Sequence, residues 1–219
     1  MIGLSTGALA NVAVIGAHCD DIAIGMGATL LHLTEHNPDV IVHALVLTGG
    51  GTEREVEEKD AFVAFCRNAE VRLAVHDLPD GRLPGHWALV KRRLAEFRRS
   101  CDPDVVFAPQ RADRHQDHRM LAELAPTEFR DHLILGYEIP KWESDLPDAN
   151  VYVPIDRPTA AQKAELLHEC YRSQTDRDWF DHETFTALLR LRGVQSHNPY
   201  AEAFVAEKTV LRFGAVSAN

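Results

Sequence analysis

Short apolar runs rich in β-branched residues alternate along this chain with longer segments of helical periodicity, and this alternation allows few folds. The clearest runs are residues 12–16, 40–47, 104–108 and 132–136, with a weaker one at 71–75. The intervening segments place apolar side chains every three or four positions, as an amphipathic helix does. Strands that alternate with helices build a mainly parallel sheet flanked by helices. The pattern therefore predicts an α/β fold.

The second half of the chain extends this pattern. Residues 151–155 are predicted to form a sixth strand, and their proline, Pro154, favours a position near the sheet edge. Residues 158–193 have a helical pattern, and residues 203–213 are predicted to form a last strand. A length of 219 residues suits one domain with a sizeable core, so a single domain is predicted over 1–219.

The charge balance excludes several classes of partner. Asp and Glu number 33 against 23 Lys and Arg, which gives a net charge of −10. With 45% hydrophobic residues the chain is predicted to be globular rather than disordered. The negative charge argues against nucleic acid and anionic membranes as partners. The 12 histidines are a high number for a residue whose special uses are metal binding and proton transfer.

The cysteines and the N-terminal residues indicate a compartment. The four cysteines lie far apart without C-x-x-C spacing, so neither a disulfide framework nor a zinc knuckle is predicted. The first ten residues contain no Lys or Arg, unlike a secretory signal. No apolar run approaches the ~18–20 residues that span a bilayer. A soluble, cytoplasmic protein is expected.

Two turns carry the densest clusters of His and Asp. Residues 17–21 (AHCDD) follow the first predicted strand, and residues 109–118 (PQRADRHQDH) follow the fourth. In a doubly wound sheet of order 3-2-1-4-5, ligands bind where the strand order reverses, between strands 1 and 4. The two turns are therefore predicted to face each other at the carboxyl edge of the sheet.

Facing turns of this composition can hold a catalytic metal. A His and an Asp three residues apart, with a second His from the other turn, make a three-ligand site that leaves coordination positions open, as catalytic zinc requires. A metal there activates water and polarises a carbonyl group. A neighbouring carboxylate that is not a ligand can take the proton of the water, and a further His can donate to the oxyanion or the leaving group.

The two turns also resemble a known family. His18-Cys-Asp-Asp21 and His115-Gln-Asp-His118 are similar to the A-H-P-D-D and H-x-D-H motifs of the PIG-L/LmbE-like N-deacetylases, metal-dependent hydrolases with a Rossmann-like α/β fold. The resemblance implies a zinc-dependent amide hydrolase that removes an N-acetyl or other N-acyl group from an amino sugar or related small metabolite.

The resemblance also implies a role for each site residue. His18, Asp21 and His118 would bind the metal, and Asp20 would be the general base. His115 would stabilise the oxyanion or act as the acid. Asp117 would orient His115 and tune its charge.

Weaker similarities extend along the chain. Residues 54–61 match an R-x-x-E-x-x-x-A pattern, and residues 192–193 and 200–204 resemble late R-G and A-E-A-F elements. Cys19 replaces the usual Pro, and Ile22 replaces a frequent acidic residue. The resemblance places the common core at 11–136 and a variable, substrate-rim part at 137–219. Family members often assemble as trimers or hexamers, so the resemblance allows a homo-oligomer but does not decide the oligomeric state.

Several positions have two interpretations. Cys19 is a fourth, soft ligand or, as we favour, a small side chain that fits a tight turn. Arg54 binds substrate or pairs with Glu57 or Glu58 at a helix start. Tyr137, with the segment that follows it, lines the substrate pocket or packs as a loop.

Two questions about the chemistry stay open at this point. A set of two His and one carboxylate suits zinc first, but also ferrous iron or another divalent metal. The rival functions are a Rossmann-like module that binds a metal or ligand without chemistry, and a metal-dependent hydrolase of another bond, such as an ester. The partner in the leading hypothesis is a small N-acylated molecule.

Overall fold

The computed structural model describes residues 3–211. This part of the chain contains one seven-stranded sheet and six α-helices. The strands are β1 (Asn11–Gly16), β2 (Ile41–Thr48), β3 (Glu70–Leu78), β4 (Val105–Pro109), β5 (Leu133–Tyr137), β6 (Val151–Ile155) and β7 (Tyr200–Ala206). The helices are α1 (Asp21–His36), α2 (Glu53–Phe65), α3 (Trp87–Ser100), α4 (Gln116–Glu128), α5 (Arg157–Cys170) and α6 (His182–Ser196). None of these helices is both long and apolar enough to cross a bilayer.

The sheet has the order β3-β2-β1-β4-β5-β7-β6. Its first five strands are parallel, and β7 runs antiparallel between β5 and β6. The predicted mainly parallel, Rossmann-like sheet is confirmed, as is the edge position of the strand that carries Pro154. Strand order reverses between β1 and β4, which lie side by side.

Residues of β1 alternate between two apolar layers. Val12 and Val14 face a cluster built with α1, α2 and α5. Ala13 and Ile15 face a second cluster built with α3 and α4. Because β1 is buried on both faces, its sequence is a nearly continuous apolar run, which is what made this strand easy to predict.

Three boundaries differ from the sequence-based predictions. Strand β3 begins at Glu70 and reaches Leu78, beyond the predicted 71–75, because as an edge strand it alternates half-buried and exposed residues and lacks an apolar run. The helical region 158–193 is two helices separated by residues 171–181. The last strand spans Tyr200–Ala206, and the end of the predicted segment 203–213 lies outside the described residues.

Helix α1 is kinked at Met26, where the backbone leaves helical geometry (φ −147°, ψ 20°). The carboxylate of Glu202, on β7, accepts hydrogen bonds from the amides of Ala28 (3.0 Å) and Thr29 (2.6 Å) just beyond the kink. Lys163 of α5 donates to the carbonyl of Ile24 at 2.6 Å and to Glu202 at 2.5 Å. This buried ion pair therefore satisfies backbone groups on both sides of the kink.

Candidate metal centre and cavity

The turns after β1 and β4 meet at the carboxyl edge of the sheet, as predicted. Nδ1 of His18 lies 3.1 Å from Nε2 of His118, although the two residues are 100 positions apart in sequence. Asp21 touches both imidazoles, with Oδ2 at 3.4 Å from His18 Nδ1 and Oδ1 at 3.2 Å from His118 Nε2. The three predicted ligands thus form one compact group of two nitrogens and a carboxylate.

The spacing of this group fits a metal ion. Zinc bonds of 2.0–2.1 Å in tetrahedral geometry place neighbouring ligand atoms about 3.3–3.4 Å apart. The two imidazole nitrogens of His18 and His118 lie 3.1 Å apart, and each is 3.2–3.4 Å from a different oxygen of the Asp21 carboxylate. His115 also lies within ligand range of these two imidazoles. The donor set and its geometry therefore suit a divalent cation.

Carboxylates on the outer side of each imidazole orient the ligand nitrogens. His118 Nδ1 lies 3.0 Å from Oδ2 of Asp113, and His18 Nε2 lies 3.0 Å from Asp80 and 3.2 Å from Asp117. These contacts favour a proton on each outer nitrogen and leave a lone pair on the inner one. Asp80 and Asp113 were not singled out from the sequence. The signal for Asp113 was its place inside the 109–118 cluster.

The electrostatics of the group favour a positive charge. Burial would lower the pKa of His118, but Asp21 and Asp113 outweigh this effect and raise the pKa to about 9. Burial would raise the pKa of Asp21, yet His118 and His18 hold it well below its usual range. The amides of Ala17 (2.9 Å) and His18 (2.8 Å) also donate to Asp21. A buried, ionised carboxylate of this kind attracts a cation.

Asp20 is buried beside the ligands in a left-handed backbone conformation, with φ 116°. Its Oδ2 pairs with Arg54 Nη2 at 2.9 Å, and its amide donates to Glu58 at 3.0 Å. Burial raises the pKa of Asp20 to about 6, against the lowering effect of Arg54. Arg54 also donates to the carbonyl of Cys19 and to Ser173, so it lies in the site, but its main ionic partner is Asp20.

His115 lies next to both ligand imidazoles. Its ring centroid is 4.8 Å from that of His18 and 4.6 Å from that of His118. Its Nδ1 accepts a hydrogen bond from the amide of Asp117 at 3.3 Å, which places the proton on Nε2. Burial lowers the pKa of His115, and the two neighbouring imidazoles act in the same direction. The hydrogen bond at Nδ1 therefore makes Nε2 the donor nitrogen of His115.

The carboxylate of Asp117 does not contact His115 in the way the resemblance implied. It accepts hydrogen bonds from the amides of Gly81 (2.8 Å) and Leu83 (3.0 Å) and faces His18. Only the backbone amide of Asp117 binds His115. The reason is geometric: Asp117 lies in the first turn of α4 and its fully buried side chain points toward the β3–α3 loop.

Tyr137 does not line the pocket, contrary to one of the two interpretations. Its side chain is fully buried and its hydroxyl donates to the carbonyl of Ile15 at 2.7 Å. The ring packs against Gly25 of α1, where an added Cβ would lie 2.2 Å from the ring. The residues of this segment that do reach the pocket are Ile139, Lys141 and Trp142.

Cys19 fits the turn as a small, buried side chain. Its thiol points to the carbonyl of Thr48 at 3.5 Å and would touch a Cβ at Gly49. Burial raises the pKa of Cys19, which keeps the thiol protonated. These contacts support the packing interpretation over a fourth ligand.

The ligands open into a cavity of about 650 Å³, a size typical of small-molecule sites. The proposed metal ligands line this cavity together with Asp20, His115 and Arg54, and so does the Thr48-Gly-Gly turn after β2. The lining also includes Asp77, Asp80, Trp142, Glu143, Gln174, Arg177 and Trp179. A separate cavity of about 250 Å³ between α4 and β5 contains none of the site residues.

A family model described as "PIG-L: GlcNAc-PI de-N-acetylase" matches residues 13–128. This stretch is more than half of the chain and includes both His/Asp turns. The chain belongs to the PIG-L family. The family description names a de-N-acetylase, and the two turns that carry the resemblance are the ones that converge here.

Individual proteins similar to this PIG-L chain point the same way. YaiS of Escherichia coli K12, described as an uncharacterized deacetylase, is 27% identical over 147 residues, which are 63% of this chain and 78% of that protein. An N,N'-diacetylchitobiose deacetylase from Pyrococcus horikoshii superposes with a TM-score of 0.69 at 23% identity, over 90% of this chain and 84% of that one.

The PIG-L fold also occurs with a different reaction. GalB, a 4-carboxy-2-hydroxymuconate hydratase from Pseudomonas putida KT2440, superposes with a TM-score of 0.71 at 17% identity, over 94% of this chain and 100% of that one. The fold alone therefore does not specify the chemistry. The reaction type therefore has to be inferred from the site residues.

The late motif matches lie beyond the family-matched residues and have structural roles. Arg192 pairs with Glu138 in a buried contact of 2.8 Å. A Cβ added at Gly193 would lie only 2.7–2.8 Å from backbone atoms of residues 198–200, so the close approach of that segment requires glycine. Together with Glu202, these residues join α6 and β7 to the body of the fold.

Proposed function

We propose that this protein is a metal-dependent hydrolase that removes an N-acetyl or other N-acyl group from an amino sugar or a related small metabolite. One observation carries the proposal: His18, Asp21 and His118 form a ligand triangle in the cavity that Asp20 and His115 also line. Membership in a family of N-deacetylases gives this arrangement its reaction type.

His18, Asp21 and His118 would hold the metal. A divalent ion bound there lowers the pKa of water and polarises the amide carbonyl of the substrate. Zinc is the first candidate, and ferrous iron suits the same donor set. The carboxylates behind the imidazoles, Asp113 and Asp117, would keep the ligand nitrogens in position.

Asp20 would act as the general base. As the water oxygen bonds to the acyl carbon, its proton passes to the Asp20 carboxylate. Arg54 binds Oδ2 of Asp20 at 2.9 Å, which leaves Oδ1 as the oxygen available for that proton. The Arg54 contact also fixes the direction of the carboxylate, which general-base catalysis requires.

His115 would stabilise the negative oxygen that develops on the acyl group. Its Nδ1 is occupied by the amide of Asp117, so Nε2 is the donor nitrogen. When the C–N bond breaks, Asp20 gives the proton that it took from the water to the leaving amine, because His115 carries its one ring proton on Nε2 for hydrogen bonding. The acid is released as its carboxylate. Each candidate residue thus has a definite task at a definite atom.

The supporting experiment measures acetate release from a panel of N-acetylated amino sugars and small amines, with metal quantified in the same sample. Acetate release that disappears on chelation and returns with zinc or ferrous iron would support the proposal. Protein that carries one metal yet releases no acid from any amide or ester would favour the binding module. Release from esters alone would favour the other hydrolase.

The setting proposed for this reaction is the cytoplasm. The four cysteines are free, and three of them, Cys19, Cys66 and Cys101, are buried, as suits a reducing compartment. The substrate proposed is small, and the net charge of −10 favours neutral or cationic molecules over polyanions.

A further inference from the structure

Two histidines lie close together at the C-terminal end of α1. His32 and His36 are exposed and four positions apart in the helix, so their side chains share one face. The centroids of the two rings are 4.2 Å apart, and the ring planes are tilted by 37°. Histidines at this helical spacing bind zinc in the H-E-x-x-H motif, because both imidazoles can reach one ion. The spacing and the proximity of the rings therefore suit a metal site with two nitrogen ligands.

A hydrogen bond of His36 determines which of its nitrogens is available. Nδ1 of His36 lies 2.8 Å from the carbonyl oxygen of His32. Because a carbonyl oxygen only accepts, the proton of the neutral imidazole is on Nδ1 and the lone pair is on Nε2. Metal-binding histidines are usually oriented in this way, by donating their other ring N–H to a carbonyl or a carboxylate. His36 is thus oriented to bind an ion through Nε2.

His32 meets a second requirement, which is a neutral imidazole. Partial burial lowers the pKa of His32, and the neighbouring His36 acts in the same direction. A ring without a second proton keeps a lone pair for a metal ion. The carboxylates of Glu35 and Asp156 have the opposite effect on this pKa, so negative charge faces the ring. The pair therefore combines nitrogen donors with negative surroundings that attract a cation.

The pair is distinct from the proposed catalytic centre. Helix α1 begins at Asp21 and ends at His36, and its 16 residues rise by about 1.5 Å each. Roughly 15–20 Å therefore separate the pair from Asp21, with the kink at Met26 in between. Neither histidine lines the cavity that His18 and His118 line. An ion bound by the pair would not contact a substrate in that cavity, so its role is separate from the proposed reaction.

We propose that His32 and His36 form an accessory site for one divalent transition-metal ion that prefers imidazole ligands, with water in its remaining coordination positions. Ni²⁺, Cu²⁺ and Zn²⁺ belong to this class, whereas Mg²⁺ and Ca²⁺ prefer oxygen ligands. An ion that binds only the folded helix joins two successive turns and stabilises the end of α1. Binding at this pair does not depend on the proposed deacetylation.

The experiment titrates protein that carries one zinc ion per chain with Ni²⁺ in a calorimeter, and with Mg²⁺ for comparison. The variants are His32→Gln and His36→Gln, since glutamine keeps a hydrogen-bond donor and removes the imidazole. His86→Gln is the matched control, because His86 is also exposed and lies in the short 3₁₀ turn before α3. Retained zinc is quantified after each titration, and amide NMR spectra locate the paramagnetic Ni²⁺ on the chain.

We expect the wild type to bind one Ni²⁺ per chain without losing zinc, with broadened amide signals around residues 32–36, and to bind no Mg²⁺. His32→Gln and His36→Gln should each weaken Ni²⁺ binding about 10- to 100-fold, because one contact replaces two linked contacts. His86→Gln should behave as the wild type does. Acetate release should be the same in all three variants.

Equal Ni²⁺ affinity in the wild type and either variant of the pair would overturn the proposal, as would a loss of the same size in His86→Gln. Exchange of zinc for nickel without any further binding would also contradict it. If the protein retains no zinc, the proposed catalytic centre fails, but Ni²⁺ binding that weakens only in His32→Gln and His36→Gln still supports the accessory site.

Discussion

Oδ2 of Asp117 lies 3.2 Å from Nε2 of His18, and the same carboxylate binds the amides of Gly81 and Leu83. Asp117 therefore connects the turn after β1, the β3–α3 loop and the first turn of α4. Because this loop also carries Asp80 to the same nitrogen of His18, at 3.0 Å, the position of this proposed metal ligand depends on a residue outside the proposed ligand set.

Asp117→Asn should weaken metal binding about 10- to 100-fold, the usual effect of losing a partner of a ligating histidine. The measurement is a competition titration against a chromophoric chelator. Asp131→Asn, at an exposed position, is the control. Equal affinity in the wild type and Asp117→Asn would show that the carboxylate only anchors the loop.

Asp20→Asn should reduce acetate release about 10²- to 10⁴-fold, because the amide cannot take the proton of the attacking water. Metal content should stay the same, since Asp20 is not one of the three ligands. Turnover and bound metal are measured on the same preparation. Loss of metal together with activity would instead make Asp20 part of the ligand set.

Glu58 predicts a pH dependence of stability. It is fully buried, and burial raises its pKa to about 8 although Tyr171 donates to it. The unfolded chain releases this proton near its ordinary pKa of about 4.3. Between these values the native state holds more protons, so the free energy of unfolding should fall as pH rises, by up to about 1.4 kcal/mol per pH unit.

Glu58→Gln removes this titration while keeping the shape of the side chain. Urea denaturation of metal-free protein at pH 5.5 and 8 should show a smaller loss of stability in Glu58→Gln than in the wild type. The exposed Glu35→Gln variant controls for adding an amide. Parallel pH profiles for the wild type and Glu58→Gln would mean that Glu58 is ionised in the folded protein.

Gly25→Ala tests the contact between α1 and β5. An added Cβ would lie 2.2 Å from Cδ2 of Tyr137, and the buried ring has to move. We expect a loss of about 1–3 kcal/mol in stability, as for other overpacked cores. Gly85→Ala, with no atom within 4 Å of the new Cβ, is the matched control for thermal denaturation. Equal melting temperatures would show that the helix adjusts freely.

Apolar patterning predicted the strands, and the order 3-2-1-4-5 that is common in doubly wound sheets predicted the meeting of the two turns. The insertion of β7 between β5 and β6 was not predicted. The side-chain direction of Tyr137 is a feature that this reasoning did not predict. Its place at the carboxyl end of β5 was visible in the sequence, but the direction of its side chain depends on the close approach of Gly25. Asp117 was expected to orient His115, its near neighbour in sequence. Its amide does bind His115, but its carboxylate faces His18, which the sequence position does not reveal.

Other parts of the site had no distinct signal in one sequence. Asp80 looks like an ordinary acidic residue of a loop, and only the folded chain brings it to the outer nitrogen of His18. Asp113 belonged to the 109–118 cluster, but its contact with the outer nitrogen of His118 was not predicted. Glu58 appeared as one of several acidic residues at a helix start. Its burial beneath Asp20 depends on Tyr171, which comes from the distant end of α5.

The kink in α1 affects how this protein can be divided. The helix that starts at Asp21, a proposed metal ligand, has backbone groups that are bound by Glu202 and Lys163, and both of these residues lie beyond the family-matched residues 13–128. A fragment cut at that boundary would remove the acceptors of the Ala28 and Thr29 amides together with α5, β6 and β7, which cover this part of α1. The family-matched stretch is therefore not a transplantable module, and a chimera that exchanges the C-terminal part must bring its own buried Lys–Glu pair.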